Sequence, residues 1–464
     1  MPTTSNLDIA IVIAFFVVCL GFGIVLFGRQ RGFDMFVLAG RKLGFLLSFG
    51  TVVSTIAGFS IVFAHAIYGY KYGISVMWSP PAILIAFLLF ALFVPKLKEA
   101  ADKKKYSTYA DMLLGRYDGK TQILGSLLTS VNFLALAAIN VYGIGLIIST
   151  LFGWPFQVSV LFGAGVVVLY TLLGGFLAVV WTDFVQMIIT ITGFAILVPT
   201  AYILVSKAGG LHANLPPESF GLATWGVDKI IGTYIVIIPV LFSSQDIWQR
   251  VFSAKDTKTA RNAVIAGGFL ISAGAAVAVY LGMSSRALLP GINAEYALPR
   301  LITHILSPGI IGLLMVAYLA AFTSSADSFL LVVSSALTQD FYRSRGGKAT
   351  DEKKMVAITR GITLLCGVVV ILIVVLVSDV VKILFTVLTW LMILVPATLA
   401  GFFWKRATAN AAFYSILVGW VIAIVYSLAT GDAETAGVVA VVPTVATLVI
   451  LSKMSKEKWE DESI

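Results

Sequence analysis

The chain has 464 residues, of which 59% are hydrophobic and 12% are charged, and its formal net charge at pH 7 is +9. A soluble globular domain carries about 25% charged residues, so this composition excludes an ordinary soluble protein. The two cysteines, Cys19 and Cys366, both lie inside apolar runs, which excludes a disulfide framework and a cysteine-based metal cluster.

Apolar runs long enough to cross a bilayer recur along the whole chain. A crossing needs about 20 mostly apolar residues, and the first run, residues 7–27, reaches that length. It has no positive charge before it and no small-residue cleavage site after it, so we expect a retained helix rather than a signal peptide. The runs predict an all-α polytopic membrane protein with about 13 transmembrane helices, centred near residues 17, 57, 84, 135, 166, 192, 240, 274, 322, 367, 391, 419 and 443.

The polar breaks between these runs alternate between basic and nearly neutral. Most of the 32 lysines and arginines fall in the breaks at 29–42, 96–120, 250–261, 343–360, 405–406 and 453–458. Because basic residues favour the cytoplasmic side, we expect a multi-pass plasma-membrane protein with its N-terminus outside and its C-terminus in the cytoplasm. The lysine-rich stretch KLKEAADKKK is interpreted as a solvated loop that fixes topology. We therefore expect the lipid bilayer as the environment, no nucleic acid and no obligatory protein partner.

Few ionisable side chains lie inside the predicted spans, and such residues are functional candidates because a charge in the bilayer is costly. Asp327 lies well inside an apolar run, in the stretch TSSADSFLLVVSS. Asp183, in VWTDFVQ, lies near the start of another run, where it is either a functional carboxylate or a helix cap. His65 lies toward the outer end of its span and is interpreted as a packing residue with satisfied ring nitrogens.

The stretch around Asp327 predicts an oxygen-rich helix face. Positions i, i+3, i+4 and i+7 share one face of a helix that turns about 100° per residue, and here they are Ala321, Ser324, Ser325 and Ser328. Hydroxyl and carboxylate oxygens, without nitrogen or sulfur, suit a hard cation such as sodium rather than zinc or copper. A small-residue seam for helix packing is the alternative, although such a seam does not need the aspartate.

A second span offers the backbone carbonyls that an ion site requires. The carbonyls of a regular helix are already hydrogen-bonded, and transporters free them with broken helices near the membrane midplane. In GTVVSTIAGFSIVF, Gly58 follows the β-branched Thr55 and Ile56 and predicts such a break. Together with the oxygen-rich face, the break predicts a cation site between two helices.

These stretches resemble the sodium:solute symporter family, which includes sodium-coupled proline, pantothenate, sugar and sialic acid transporters. The resemblance rests on AAFTSSADSFLLVVSSALTQDFY, GRKLG, LLGGFLAVVWTDFVQ and QDIWQRVFSAKD, which occur in family order over nearly the whole chain. It implies a LeuT-type fold of two inverted five-helix repeats with one extra leading and two extra trailing helices. In a single transporter domain, the leading helix and loop are expected at 1–43, the repeats at 44–206 and 228–404, and the trailing helices and cytoplasmic tail at 405–464.

The resemblance also implies the residues of the binding sites. The main sodium site is expected to use the backbone carbonyls of Val53, Ile56 and Ala321 and the hydroxyls of Ser324 and Ser325. A second sodium, or a proton, is expected at Asp183, Ser324, Asp327 and Ser328, with Asp327 standing where the family has a hydroxyl. The substrate is expected among Ser54, Thr55, Ala57, Gly58, Ser60, Met77, Trp78, Asn132 or Asn140, Ser244, Gln245 and Trp248.

The expected function is sodium-coupled uptake of a small polar organic solute by alternating access. Proline-transporting relatives have an aspartate where Thr55 stands, and no arginine is evident at membrane depth to bind a carboxylate such as that of sialic acid. A proton-coupled symporter and a transporter-like sensor are the alternatives, and the sensor would need a partner since nothing follows the last helix. We expect no enzyme, because SADS lacks the glycine-flanked context of an intramembrane aspartyl protease.

Overall fold

The computed structural model describes residues 5–27, 32–343, 351–376 and 380–455, and these residues are almost wholly helical, which confirms the all-α class. The predicted cytoplasmic residues Arg29, Arg31, Arg345, Lys348, Lys456 and Lys458 lie outside the described residues. The helices are α1 (Asn6–Leu26), α2 (Phe33–Leu38), α3 (Phe45–Ile56), α4 (Ala64–Tyr72), α5 (Ser79–Lys104), α6 (Tyr109–Arg116), α7 (Gly119–Phe152), α8 (Phe156–Lys207), α9 (Leu211–Asn214), α10 (Val227–Val240), α11 (Gln245–Ser253), α12 (Thr257–Leu288), α13 (Ala297–Ile305), α14 (Ile310–Ala336), α15 (Glu352–Leu376), α16 (Val380–Leu391), α17 (Val395–Phe403), α18 (Ala409–Thr430) and α19 (Ala433–Met454).

Eleven helical stretches within the described residues are long and apolar enough to cross a membrane. Two of them, Phe45–Lys104 and Phe156–Lys207, contain 60 and 52 residues, more than twice the length that one crossing needs. The first is interrupted between α3 and α4, and α8 changes direction at Gly175, where φ is 52° and ψ is −160°. The total of about 13 crossings stays a prediction.

Helix α14 lies at the centre of the molecule and packs against α7 and α8. Nearly all of its residues are buried, as expected for a helix surrounded by others. By contrast, α1, α15, α18 and α19 have a minority of buried residues and expose leucine and valine side chains at the perimeter. The hydroxyls and the carboxylate of α14 are therefore held in the protein interior rather than facing lipid.

The span that begins with α3 is broken, as predicted. Helix α3 ends at Ile56 and is followed by a π-helical segment, Ala57–Phe63, in which Gly58 has a non-helical ψ of −148°. A Cβ atom at Gly58 would overlap the Ser325 hydroxyl and the Asn140 amide oxygen, so the close approach of α7 and α14 requires glycine here. The break therefore lies directly against the oxygen-rich face of α14.

Candidate ion and substrate site

The broken backbone at Gly58 is stabilised by a side chain from α7. The Phe59 backbone N–H donates to Asn140 Oδ1 at 3.0 Å. The Asn140 amide nitrogen donates in turn to the Leu136 carbonyl at 2.9 Å, which fixes the orientation of the amide. The backbone of the break is thus stabilised without consuming the carbonyls at the end of α3.

Two hydroxyls of α14 contact those carbonyls. Ser325 Oγ lies 2.7 Å from the Thr55 carbonyl oxygen, and Ser324 Oγ lies 3.0 Å from the Ser54 carbonyl oxygen. Both hydroxyls also lie close to the carbonyl oxygen of Ala321, at 3.0 Å for Ser324 and 3.2 Å for Ser325. All these residues are buried, so five oxygen atoms from two helices converge in the interior. The structure thus brings Ala321, Ser324 and Ser325 together, as the sequence predicts.

The carbonyls that the hydroxyls contact are one residue away from the predicted ones. The Val53 carbonyl accepts a hydrogen bond from the Ala57 N–H, which closes the last turn of α3. Ile56 is the last residue of that helix, and the contacts from α14 fall on Ser54 and Thr55 instead. The participation of Val53 and Ile56 in an ion site stays a prediction, since it depends on how the broken turn adjusts around an ion.

A second cluster of polar groups lies beside the first, between α8 and α14. Asp183 is inside α8 and fully buried, so the alternative of a helix cap is wrong. Its Oδ2 accepts from Thr51 Oγ1 at 2.6 Å, and its backbone carbonyl accepts from Ser54 Oγ at 2.7 Å. Asp327 Oδ2 accepts from the Tyr170 hydroxyl at 2.6 Å. Among the described residues, the Oδ1 atoms of both aspartates have no hydrogen-bond partner, so each carboxylate has capacity for a cation.

An arginine that we placed in a cytoplasmic break occupies the space between these groups. Arg250 is 1% exposed, and its Nη2 lies 3.8 Å from Asp183 Oδ2 and donates to Ser328 Oγ at 2.5 Å. Its Nη1 donates to the Asp246 carbonyl at 3.0 Å. The expectation that no arginine lies at depth is therefore wrong, because the stretch QDIWQR forms the buried helix α11 rather than a loop.

One pattern in the sequence points to this burial. The polar residues of α11 recur at helical spacing, at Gln245, Asp246, Gln249, Arg250 and Ser253, which is typical of one face of a helix. A solvated loop does not need that spacing.

A cavity of about 740 Å³ is lined by residues beside the Gly58 break, such as Thr55, and by Leu241 and Ser244 of the turn that interrupts the span between α10 and α11. Four of the predicted substrate residues line it, namely Thr55, Ser60, Asn140 and Ser244. The others are not among the described residues that line the cavity: Ser54, Ala57, Gly58, Met77, Trp78, Asn132, Gln245 and Trp248.

Several of these other residues have interactions elsewhere. Trp78 is 42% exposed and donates to the Leu222 carbonyl at 3.1 Å, and Asn132 donates to the Leu128 carbonyl at 2.7 Å. Trp248 is fully buried among aromatic rings, with the ring of Tyr109 5.0 Å away between centroids. Their roles in substrate binding stay predictions, and Asn140 is the asparagine that the structure places on the cavity.

A model of the sodium:solute symporter family matches residues 36–419. The chain belongs to the sodium:solute symporter family. This membership confirms the resemblance seen in the sequence, and it identifies the protein as a multi-pass membrane transporter that couples solute uptake to sodium rather than an enzyme.

The sodium:solute symporter is similar to two bacterial relatives over most of its length. It is 27% identical to a sodium/proline symporter of Escherichia coli (strain K12), with 87% of this chain and 86% of that one covered. It is also 27% identical to an osmoregulated proline transporter of Bacillus subtilis (strain 168), over 92% and 90% of the two chains. Its fold matches the structure of a Na⁺-coupled sialic acid symporter in a substrate-bound outward-open state, with a TM-score of 0.86, 19% identity and 98% of both chains covered. The predicted LeuT-type fold is confirmed.

Proposed function

We propose that this symporter binds sodium between the broken span at Gly58 and helix α14, with Ser324 and Ser325 as its side-chain ligands, and uses that ion to drive uptake of a small polar solute. The observation that supports the proposal is the approach of both hydroxyls to the Ser54 and Thr55 carbonyls within 3.0 Å. Sodium prefers oxygen ligands, and a ligand set from two helices stabilises the conformation that holds them together.

The two breaks support the expected inverted repeats, 44–206 and 228–404. In the first repeat the opening span is interrupted at Gly58, and in the second the opening span is interrupted by the turn at 241–244, between α10 and α11. Interrupted segments at corresponding positions of two halves are the arrangement that transporters use to build a central binding site. The cavity reaches both breaks, at Thr55 and at Ser244, so we place the solute there.

We further propose that the cavity opens to the outside of the plasma membrane and that the C-terminus lies in the cytoplasm. The rim of the cavity includes Lys71 and Lys229, which belong to the weakly basic breaks of the sequence. Toward the opposite, strongly basic end, Asp340 accepts hydrogen bonds from Thr108 Oγ1 at 2.9 Å and Ser126 Oγ at 2.6 Å. These bonds tie the segment Leu337–Arg343, which follows α14, to the N-cap of α6 and to α7. The arrangement is that of an outward-facing transporter closed on its cytoplasmic side.

We propose that the guanidinium of Arg250 supplies, as a fixed part of the protein, the positive charge that a second sodium ion would otherwise bring. Its guanidinium already contacts Asp183 and Ser328, which are two of the four residues expected to hold that ion. One guanidinium balances only one of the two carboxylates. Asp327, with one oxygen bonded to Tyr170 and the other without a partner, is therefore where a coupling proton would act.

The sodium assignment is tested by the thermal stability of the purified protein. An ion that binds only the folded state raises stability by about 2.7 kcal/mol when its concentration is 100 times Kd. We expect the Tm to rise as sodium chloride replaces potassium chloride at constant ionic strength. If the two salts gave the same Tm over the whole range, the sodium assignment would be wrong.

A further inference from the structure

The second break places a carboxylate on the wall of the cavity. Asp246 lies in the first turn of α11, is 2% exposed, and lines the cavity together with Ser244. Its Oδ1 is buried and has no hydrogen-bond partner among the described residues. Buried charges in proteins are usually paired, so an unpartnered carboxylate oxygen on a substrate cavity points to a ligand that completes it.

The neighbouring Arg250 does not donate a hydrogen bond to this Asp246 oxygen. Arg250 lies one turn further along α11, but its hydrogen bonds go to the Asp246 backbone carbonyl, to Gln249 Oε1 and to Ser328 Oγ. Its ion pair is made with Asp183. The guanidinium therefore makes the potential around Asp246 less negative, but it does not donate a hydrogen bond to the carboxylate oxygen that lacks a partner.

The cations that line the cavity lie at its rim. Lys71, Lys229 and Lys382 are exposed there, and the described lining residues include no arginine. His65, which also lines the cavity, has Nδ1 2.9 Å from the Ser60 carbonyl and Nε2 2.9 Å from Ser79 Oγ. Since the carbonyl requires an N–H donor and the hydroxyl can donate to the other nitrogen, these contacts suit a neutral ring. Among the described residues that line the cavity, Asp246 is thus the charged side chain that is buried.

Aromatic side chains line the same cavity as Asp246. Phe87, Phe133 and Phe329 are all buried and line the cavity, and the rings of Phe133 and Phe329 are 5.4 Å apart between centroids. Tyr68, Trp225 and Phe385 line it as well. The face of an aromatic ring attracts a positively charged nitrogen, most strongly where water is excluded. A buried carboxylate and aromatic rings that line one cavity together form a set of groups that favours an ammonium group.

We propose that Asp246 is a substrate-binding residue and that the solute carries a positively charged nitrogen, which pairs with the Asp246 carboxylate. This inference rests on the proposed function, since it takes the cavity as the site of the transported solute. It narrows the substrate class from small polar solutes to small ammonium-bearing solutes, and it excludes neutral sugars and simple carboxylates.

The test is a thermal-shift panel on the purified full-length protein, in sodium chloride and again in potassium chloride. The probes are matched pairs that differ in the charged nitrogen: proline and cyclopentanecarboxylate, choline and its uncharged carbon analogue dimethylbutanol, and glucosamine and glucose. We expect at least one ammonium-bearing probe to raise the Tm in sodium chloride, and its partner without the ammonium group to have no effect. For that probe, Asp246→Asn is expected to raise Kd by at least about 30-fold, because it removes one member of a buried charge pair.

Asp256→Asn is the matched control. Asp256 is an exposed N-cap of α12 that accepts from the Thr259 N–H at 2.7 Å, and asparagine caps a helix equally well. This variant should bind the probe with the affinity of the unmodified protein. A Tm for Asp246→Asn measured without any probe establishes that the variant is folded.

Three results would overturn the proposal: shifts from probes without an ammonium group as large as those from their ammonium partners, an unchanged Kd in Asp246→Asn, or no shift from any ammonium-bearing probe. Comparing the shifts in sodium chloride and in potassium chloride distinguishes a failure of this inference from a failure of the proposed function. A sodium-dependent shift by glucose alone leaves sodium symport standing and removes the role of Asp246. An ammonium probe that shifts the Tm equally in both salts supports Asp246 and contradicts sodium coupling.

Discussion

Replacing Ser325 by alanine removes one of the two hydroxyls that we assign to sodium. The lost oxygen lies 2.7 Å from the Thr55 carbonyl and 3.2 Å from the Ala321 carbonyl, in a fully buried setting. A neutral hydrogen-bonding group in such a setting contributes about 1–2 kcal/mol. Because 1.4 kcal/mol is tenfold in an equilibrium constant, Ser325→Ala should raise the sodium Kd by about 5- to 30-fold. Ser324→Ala should act in the same range, since its hydroxyl contacts the Ser54 and Ala321 carbonyls.

The assay is a sodium titration of Tm at constant ionic strength, which reports Kd without knowledge of the solute. Ser335→Ala is the control on the same helix, because the bonds of its buried hydroxyl to described residues lie within α14, to the Leu331 carbonyl at 2.6 Å and the Val332 carbonyl at 3.0 Å. It should leave the sodium Kd unchanged. The reasoning fails if Ser324→Ala and Ser325→Ala keep the sodium Kd of the unmodified protein, or if Ser335→Ala raises it as much as they do.

Two further predictions concern Arg250 and Gly58. If Arg250 replaces a second sodium, the unmodified protein should bind sodium with a Hill coefficient of about 1. Arg250→Gln should raise the Hill coefficient, because Asp183 loses its ion-pair partner and can bind a second sodium. A coefficient of about 2 in the unmodified protein would contradict the proposed role of Arg250. Gly58→Ala should destabilise the protein by about 1–3 kcal/mol and weaken sodium binding, because the added Cβ overlaps the Ser325 hydroxyl. In Gly165→Ala the Cβ meets no atom of the described residues within 4 Å beyond its own helical turn, so equal losses in both variants, measured by Tm, would argue against a specific overlap.

The features of the site that depend on local pattern could be predicted from the sequence. The face containing Ser324 and Ser325 follows from helical spacing alone, and the break at Gly58 follows from a glycine next to β-branched residues in an apolar run. Both predictions need only the conformation of one segment. The all-α membrane class likewise follows from composition and the length of the apolar runs.

The features that depend on packing between segments could not be predicted from the sequence. The sequence shows only that a basic residue stands near the end of an apolar run. It does not show whether that residue lies in a loop or, like Arg250, inside the helix bundle beside Asp183. The same ambiguity hid Asp246, whose importance depends on the cavity that α11 reaches. Which carbonyls meet the α14 hydroxyls also depends on the shape of the broken turn, and that shape decides between the predicted Val53 and Ile56 and the observed Ser54 and Thr55.

The central claim is that sodium binds between the Gly58 break and α14, and direct binding of radioactive sodium to the purified protein tests it. We expect saturable binding of about one ion per chain, competed by unlabelled sodium but not by potassium, and lost when Ser324 and Ser325 are both replaced by alanine. Saturable binding that survives the double substitution at full affinity, with the variant folded by its Tm, would contradict the account.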